Sequence, residues 1–466
     1  MIEDKFLPEG FRALMEDQIG ASAASTLLQA LNGEPEVSIR INRHKGAEKQ
    51  PYADTSDVAW CESGYYLASR PRFTFNPLLH AGAFYVQDAS SMVYETIVRK
   101  LNGDRPAIAA DLCAAPGGKT TAILNSLPAG SVMLANEYVA SRASVLKENL
   151  TKYGYPEVIV TNTDTARLSG MAGCFDIVAV DAPCSGEGMM RKEETARTQW
   201  SEGLVRQCAA LQREILQHAA EMVAPGGYLI YSTCTFNTTE DEDNALWASE
   251  TLGLTPVDTG LAGTGGIRGQ AKGDVPCLRF MPGFTRGEGL FVAVFRKEGD
   301  SISSGNHPSR KSRTKGDRKG KQKKPATDRS ILEKASSWVK DDVEIINHDG
   351  RLLALTPATA SLLSDLPKGV RIISAGVEIG EVKGKDLIPS HQLAMSTLMA
   401  DVFPKVELTE EDAIRFLSRD MFALPPDTPK GFIAVTFKGL TLGLLKNLGN
   451  RFNNLYPQEY RIRTHN

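Results

Sequence analysis

Five short apolar segments between residues 76 and 298 alternate with longer segments of helical periodicity, and this alternation constrains the fold more than any other feature. The apolar segments are AIAADLCA, SVMLANE, VIVTNTD, FDIVAVDAP and GGYLIYSTC. Strands this uniformly apolar are buried on both faces, as in parallel sheets that helices cover on each side. The sequence therefore predicts an α/β domain with a doubly wound parallel sheet over residues 76–298.

Further modules are expected on both sides of this domain, because 466 residues are too many for one hydrophobic core. Residues 1–75 mix helical and strand-like segments and predict a small N-terminal α/β module. Residues 329–466 have a globular composition and predict a C-terminal α+β region. Within that region the segment VRIISAGVEIGEVKG, residues 370–384, favours a hairpin with glycine turns.

Residues 299–328 are rich in Ser, Gly, Pro, Lys and Arg and contain almost nothing to bury. Such a segment cannot offset the entropy cost of ordering, so we expect a disordered basic linker. It is either a solvated spacer or a polycationic arm that follows RNA phosphates, and the sequence leaves both open.

The composition argues against several classes of protein. Seven cysteines occur without any Cys-x-x-Cys pair, which disfavours a disulfide framework and a zinc site and favours a reducing cytoplasm. We therefore expect a cytoplasmic protein that binds no metal. The N-terminus carries acidic residues where a secretory signal would be basic, and no apolar run reaches 18 residues, so no membrane association is expected.

The ends of the first three strands carry residue types that suit a nucleoside cofactor. The first strand runs into a small-residue turn in which glycines permit close approach of the backbone to a ligand. That turn comprises Cys113, Ala114, Ala115, Pro116, Gly117, Gly118 and Lys119. It matches neither Gly-x-Gly-x-x-Gly nor a P-loop, which disfavours an NAD-dependent enzyme and an NTPase. Glu137 and Asp164 follow the next two strands, where they can bind ribose hydroxyls and an adenine amino group, so S-adenosylmethionine fits best.

Two thiols and one carboxylate follow the fourth and fifth strands. Asp181 and Cys184 lie in DAPCSGEGMMRK, and Cys234 lies in IYSTCTF. Carbon 5 of a pyrimidine is a poor nucleophile, and addition of a thiolate to carbon 6 moves electron density onto carbon 5, where a methyl group can then be accepted. A carboxylate can hydrogen-bond or protonate N3 of cytosine, whereas uracil already carries a proton there. The set therefore favours cytosine as the substrate.

These motifs resemble those of a known family. DLCAAPGGKTT, NEYVASR, TNTDTARL, VDAPCSGEGMMRK and YSTCTFNTTEDEDN are similar, in order, to the motifs of the Nop/Sun family of RNA 5-methylcytosine methyltransferases. The resemblance covers residues 80–297 and is closest for the bacterial RsmF-like branch, which modifies 16S ribosomal RNA. It implies a class I (Rossmann-like) methyltransferase domain. The segment LGLLKNLGNRFNNLYPQEY looks like the PUA-like RNA-binding module of that branch.

The resemblance also implies roles for individual residues. Cys234 would be the nucleophile and Cys184 would assist release of the methylated base. Asp181 would contact both the base and S-adenosylmethionine, which the turn of residues 113–119, Glu137 and Asp164 would also bind. The expected partner is ribosomal RNA or the small ribosomal subunit, bound by a monomer.

The sequence alone leaves two points open and accounts for one acidic segment. The family usually has Arg-x-x-Pro-His before the last strand, whereas RFMPG places Gly283 at the position of the histidine. The acidic segment TTEDEDN is explained as a helix start, in which Thr239 and Glu242 match a capping box. A non-catalytic RNA-binding ribosome-assembly factor and a 5-methyluridine methyltransferase remain alternative functions.

Overall fold

The computed structural model describes residues 7–46, 51–299, 328–340 and 342–463. The predicted linker lies outside these ranges except at its two ends. The N-terminal module contains two helices and a small sheet, with its elements in the order α1 (Phe11–Ile19), α2 (Ala21–Leu31), β1 (Ser38–Ile41), β2 (Thr55–Val58), β3 (Cys61–Leu67), α3 (Pro77–His80) and β4 (Phe84–Val86). The sheet is antiparallel in the order β2-β3-β1-β4. Because β4 pairs with β1, this module continues beyond residue 75, where the sequence analysis ended it.

The central domain is built on five parallel strands, and four further strands of the domain extend the sheet or pair with an extending strand. Its elements are α4 (Val93–Asn102), β5 (Ile108–Asp111), α5 (Gly118–Ser126), β6 (Val132–Asn136), α6 (Ala140–Tyr153), β7 (Val158–Thr161), α7 (Thr165–Leu168), β8 (Phe175–Asp181), α8 (Glu194–Gln199), α9 (Glu202–Met222), β9 (Val223–Thr233), α10 (Glu242–Thr251), β10 (Leu254–Pro256), β11 (Arg268–Lys272), β12 (Val275–Phe280) and β13 (Leu290–Lys297). The parallel strands lie in the order β7-β6-β5-β8-β9, and β13, β12 and β11 continue the sheet antiparallel beyond β9. β10 pairs with β13.

Apolar residues cover both faces of this sheet, as the sequence predicts. Along β8, Ile177 and Ala179 belong to one buried core, whereas Val178 and Val180 belong to the other. Successive side chains of a strand point to opposite faces, so a strand that is apolar throughout must be covered on both. The carboxyl ends of the five parallel strands then form one edge, which is where ligands bind in such sheets.

The C-terminal region contains two further four-stranded sheets. Its elements are α11 (Arg329–Ser337), β14 (Glu344–His348), β15 (Arg351–Leu355), α12 (Pro357–Asp365), β16 (Ile372–Ala375), β17 (Val377–Lys383), β18 (Asp386–Pro389), α13 (His391–Met395), β19 (Lys405–Glu407), α14 (Glu410–Ser418), β20 (Gly431–Phe437), β21 (Leu440–Asn447) and β22 (Phe452–Asn454). The sheets have the orders β14-β15-β17-β18 and β19-β20-β21-β22. The last sheet packs on the N-terminal module, with Ile39 and Phe84 in the same core as Phe416 and Ile433.

The predicted hairpin over residues 370–384 is wrong. β16 pairs with β7 of the central sheet, whereas β17 pairs with β15 and β18. A strand of the C-terminal region is therefore the outer strand of the central sheet, next to β7.

Across the described ranges, no helix combines the length and apolarity that crossing a membrane requires.

Candidate active site

The turn between β5 and α5 is tightly held at the carboxyl edge of the sheet. Gly117 has a φ of 110° and precedes the first residue of α5. A Cβ atom at this position would lie 3.3 Å from a methyl group of Leu146. The side chain of Asn149 donates to the carbonyl of Pro116 at 2.8 Å, and that of Arg142 donates to the carbonyl of Ala115 at 2.7 Å. Side chains of α6 therefore hold the backbone of the turn in place.

Asp111, the last residue of β5, has one carboxylate oxygen without a hydrogen-bond partner among the described residues. Its Oδ2 accepts a hydrogen bond from the Thr120 hydroxyl at 2.6 Å, whereas the buried Oδ1 accepts none. Burial raises the pKa of Asp111 to about 7. A positively charged or hydroxyl group of a ligand at the turn would satisfy the free oxygen, because a buried polar atom without a partner is costly.

Glu137 and Asp164 lie at the same edge but in different environments. Glu137 is buried just after β6, and its Oε1 accepts a hydrogen bond from the Val139 amide at 2.8 Å. Asp164 is exposed and caps α7 by accepting a hydrogen bond from the Ala166 amide at 2.9 Å. Cys113 is half-buried, packs against the core beneath the turn and has its pKa raised by burial.

Asp181 ends β8 and is held from two sides. Its Oδ2 accepts a hydrogen bond from Lys119 Nζ at 2.8 Å, and its Oδ1 accepts one from the Ser232 hydroxyl at 2.7 Å. Burial lowers the pKa of Lys119, but the charge of Asp181 and the hydrogen bond to it outweigh burial and raise that pKa above its ordinary value. Lys119 is therefore an ammonium group bonded to Asp181.

The two cysteines predicted from the sequence lie side by side. Cys184 Sγ and Cys234 Sγ are 3.1 Å apart, and both residues are free thiols. This separation exceeds the disulfide bond length of about 2.05 Å and fits an S–H to S hydrogen bond. The hydrogen bond to Cys234, together with burial, raises the pKa of Cys184 well above its usual range. Cys184 is therefore a neutral thiol at pH 7.

Two buried glutamates connect the loops that carry these cysteines, and the sequence analysis assigned neither of them. Glu187 follows Cys184 and accepts hydrogen bonds from the amides of Phe236 and Asn237 at 2.6 and 3.0 Å. Glu240 follows Cys234 in the chain and accepts hydrogen bonds from the Ser185 amide and hydroxyl at 3.0 and 2.5 Å. Each loop thus supplies a carboxylate that holds the other loop.

The acidic segment that contains Glu240 is not the capping box that the sequence suggests. α10 begins at Glu242, and its N-cap is Asp241, for which the structure shows no side-chain cap hydrogen bond. Asp241 and Glu242 are buried beside Arg279, which donates to Glu242 Oε1 at 2.5 Å and to the Phe236 carbonyl at 2.6 Å. Of the buried glutamates, only Glu187 carried a signal in the sequence, because it stands within the small and apolar stretch PCSGEGMM.

Family models match segments of all three globular parts of the chain. Residues 98–296 match the family model described as 16S rRNA methyltransferase RsmB/F. Residues 7–89 match the N-terminal domain of 16S rRNA methyltransferase RsmF, and residues 403–462 match the RsmF PUA domain. The match at 7–89 agrees with the extent of the N-terminal sheet to β4.

A full-length relative decides the family. Ribosomal RNA small subunit methyltransferase F from Aliivibrio fischeri (strain MJ11) is 30% identical, and the alignment covers 98% of each chain. The chain belongs to the ribosomal RNA small subunit methyltransferase F family. The protein of the same name from Escherichia coli (strain K12) is also 30% identical, over 97% of this chain and 96% of the relative. The resemblance to the RsmF-like branch is thereby confirmed.

Solved structures agree with the methyltransferase fold of this family. NSun6 from Pyrococcus horikoshii has a TM-score of 0.53 at 20% identity, covering 64% of this chain and all of its own. A methyltransferase homolog from the same organism has a TM-score of 0.52 at 24% identity, covering 61% of this chain and 93% of its own. The predicted fold class, a class I methyltransferase domain between an N-terminal module and a C-terminal PUA domain, is confirmed.

Methyltransferases of the F family use S-adenosylmethionine, and the residues present here fit it. The free oxygen of Asp111 suits the ammonium of the methionine part, and the buried carboxylate of Glu137 suits ribose hydroxyls. The described residues contain no group of three His, Cys, Asp or Glu side chains that could hold a metal ion.

The departure at Gly283 has a structural reason within this member of the F family. Gly283 has a φ of 87°, and a Cβ atom there would lie 2.9 Å from the Thr26 methyl group and 3.0 Å from the Thr26 carbonyl oxygen. Helix α2 therefore packs directly on this loop, and a histidine side chain has no room at the position.

Proposed function

We propose that this protein methylates carbon 5 of a cytosine in 16S ribosomal RNA. The family and the names of its relatives support ribosomal RNA as the substrate. The observation that carries the choice of carbon 5 of cytosine is the 3.1 Å separation of Cys184 Sγ and Cys234 Sγ, next to the strand that ends in Asp181. A nucleophilic thiol, a second thiol and a carboxylate beside a methyl-donor site are the groups that this reaction needs.

In the proposed reaction, Cys234 attacks carbon 6 of the cytosine as a thiolate. Electron density then moves through the ring, and N3 becomes more basic. Asp181 contacts N3, and the ammonium of Lys119, bonded to Asp181 at 2.8 Å, supplies the proton that N3 takes up. This protonation lowers the cost of the addition, and the addition itself turns carbon 5 into the nucleophilic carbon of an enamine.

S-adenosylmethionine supplies the methyl group to carbon 5. In this proposal, the turn of residues 113–119 and Asp111 bind its methionine part. Glu137 binds the ribose, and Asp164 binds the adenine. Asp181, at the end of β8, also contacts the cofactor. Asp164 already caps α7, so it would contact adenine through its second oxygen.

The pair of thiols explains how the product is released. The hydrogen bond to Cys234 is the largest cause of the raised pKa of Cys184. Once Cys234 is bonded to carbon 6 as a thioether, its sulfur accepts hydrogen bonds more weakly, so the pKa of Cys184 falls, although burial still raises it. Cys184 then loses its proton to solvent and removes the proton from carbon 5, after which the Cys234–C6 bond breaks. Breaking this bond returns Cys234 as a thiolate and the N3 proton to Lys119, so release of 5-methylcytosine restores both cysteines and the ammonium.

The identity of the product tests this function. The purified protein is incubated with S-adenosylmethionine and either naked 16S ribosomal RNA or small subunits from cells that lack the protein. The RNA is then digested to nucleosides for mass spectrometry. We expect 5-methylcytosine, which bisulfite sequencing would locate. 5-Methyluridine would support the uridine alternative, and the absence of a methylated product on both substrates would support a non-catalytic assembly factor.

A further inference from the structure

The C-terminal region adds an outer strand, β16, beside β7 of the central sheet. β7 is in turn the neighbour of β6, which Glu137 follows. β16 pairs antiparallel with β7, and Ile372 lies opposite Thr161. The Asn162 amide donates to the Arg371 carbonyl at 2.9 Å, and the Gly376 amide donates to the Val158 carbonyl at 3.1 Å. Residues 371–376 are therefore bonded to the central sheet along the whole length of β7.

The same region also covers one face of this part of the sheet. Leu355, Leu362 and Ala375 share a buried core with Leu134 of β6 and Ile159 of β7. α7, which follows β7 within the central domain, has only four residues and is too short to cover both strands. The packing of β6 and β7 thus depends on residues that lie more than 50 positions after β13, the last strand of the central domain.

One side chain connects this added strand to the loop of Glu137. Asn162 Nδ2 donates to the carbonyls of Glu137 and Tyr138, at 2.7 and 2.8 Å. Asn162 Oδ1 accepts a hydrogen bond from Arg371 Nη1 at 3.1 Å. Arg371 therefore fixes the orientation of the amide that holds the backbone beside the Glu137 carboxylate.

We propose that Arg371 is a positioning residue for S-adenosylmethionine, which acts through Asn162 on the backbone of Glu137 and Tyr138. This inference rests on the proposed role of Glu137 as the ribose ligand. A loop that is fixed before binding loses less conformational freedom when the ligand arrives, so affinity rises without any new contact to the ligand. Arg371 itself does not have to touch the cofactor.

Binding of S-adenosylhomocysteine to the full chain, measured by titration calorimetry, tests the proposal without any RNA. We expect Arg371→Ala to weaken binding about three- to tenfold, the loss typical of one ordinary hydrogen bond. Asn162→Ala should weaken binding further. In the double variant the Arg371→Ala change should have no additional effect, because its partner is already absent. Arg371→Lys, which retains one donor, should recover part of the affinity.

Arg329→Ala is the matched control, because Arg329 is an exposed arginine of the same region that pairs with Glu333. It should bind S-adenosylhomocysteine as tightly as the unchanged protein. In steady-state assays Arg371→Ala should raise KM for S-adenosylmethionine and leave kcat unchanged. Thermal melting confirms that each variant is folded.

Two results would overturn the proposal. One is an unchanged affinity of Arg371→Ala for S-adenosylhomocysteine. The other is that Arg371→Ala loses as much affinity in the Asn162→Ala background as it does in the otherwise unchanged protein. Glu137→Ala separates this failure from that of the underlying assignment. If Glu137→Ala binds S-adenosylhomocysteine normally, the ribose role of Glu137 is refuted. If Glu137→Ala loses binding and Arg371→Ala binds normally, only the role of Arg371 is refuted.

Discussion

The carboxylate of Glu240 accepts hydrogen bonds from both the amide and the hydroxyl of Ser185, at 3.0 and 2.5 Å. Ser185 directly follows Cys184, and Glu240 lies six residues after Cys234. This contact joins the two cysteine loops at a fully buried position, where nothing from solvent can replace it. The relative position of the two sulfurs therefore depends on a carboxylate that does not itself contact either sulfur.

Glu240→Gln is expected to impair catalysis and leave cofactor binding intact. Gln212 and Asn237 also donate to Glu240, so an amide nitrogen at this position would face several donors. We expect the free energy of unfolding to fall by about 1–3 kcal/mol. Methyl transfer should slow by at least about tenfold, because the two sulfurs are no longer held in position. Glu250→Gln, at an exposed position of α10, the helix that follows Glu240, is the control. Normal methyl transfer by Glu240→Gln would contradict the positioning role.

Cofactor binding is expected to depend on pH through Asp111. Burial raises its pKa to about 7, so it carries a proton below pH 7 and a negative charge above. A cofactor ammonium binds to the ionised form, so affinity for S-adenosylhomocysteine should fall by up to about tenfold per pH unit below pH 7. Asp111→Asn should bind more weakly at pH 8 and lose this dependence. An unchanged pH profile in that variant would exclude Asp111 as the source.

Gly283→His, which restores the usual residue of the family, is expected to destabilise this protein. The position combines a φ of 87° with a Thr26 contact at 2.9 Å from any Cβ atom. We expect a lower melting temperature and no gain in activity, with Gly283→Ala showing a smaller decrease. A histidine variant as stable as the unchanged protein would show that α2 can move away from the loop.

Deletion of residues 308–325 tests the basic linker, which lies outside the described residues. The deleted segment carries nine Lys or Arg residues and one Asp. If these cations neutralise RNA phosphates, the deletion should weaken RNA binding mainly at low salt, and the plot of log affinity against log salt should become shallower. An unchanged slope would favour the solvated spacer.

The sequence predicted the parts of the fold that local patterns determine. The apolar segments gave the five parallel strands, and strand-end motifs gave Asp181, Cys184 and Cys234, because side chains at the carboxyl ends of neighbouring parallel strands must lie at one edge. The pairing of β16 with β7 was missed, since residues 371–376 pair with a strand more than 200 positions earlier and no local pattern records this. Gly376 stands between two apolar runs of this segment, which therefore resembled a hairpin.

The supporting carboxylates were missed for a different reason. TTEDEDN has the composition of a helix start, and acidic residues there are usually solvated. In this fold the start of α10 is buried against the cysteine loops, so Glu240 and Glu242 accept hydrogen bonds from Ser185 and Arg279 instead. Burial of this kind depends on tertiary packing, which the sequence pattern alone does not give.

The covalent adduct between protein and RNA tests the central claim most directly. Each cysteine is replaced by alanine in turn, the variant is incubated with S-adenosylmethionine and 16S ribosomal RNA, and the products are separated on a denaturing gel. Cys184→Ala should accumulate a shifted band, because Cys234 still attacks but release is blocked. Cys234→Ala should form no adduct and transfer no methyl group. An adduct in Cys234→Ala, with none in Cys184→Ala, would reverse the assigned roles and contradict the account.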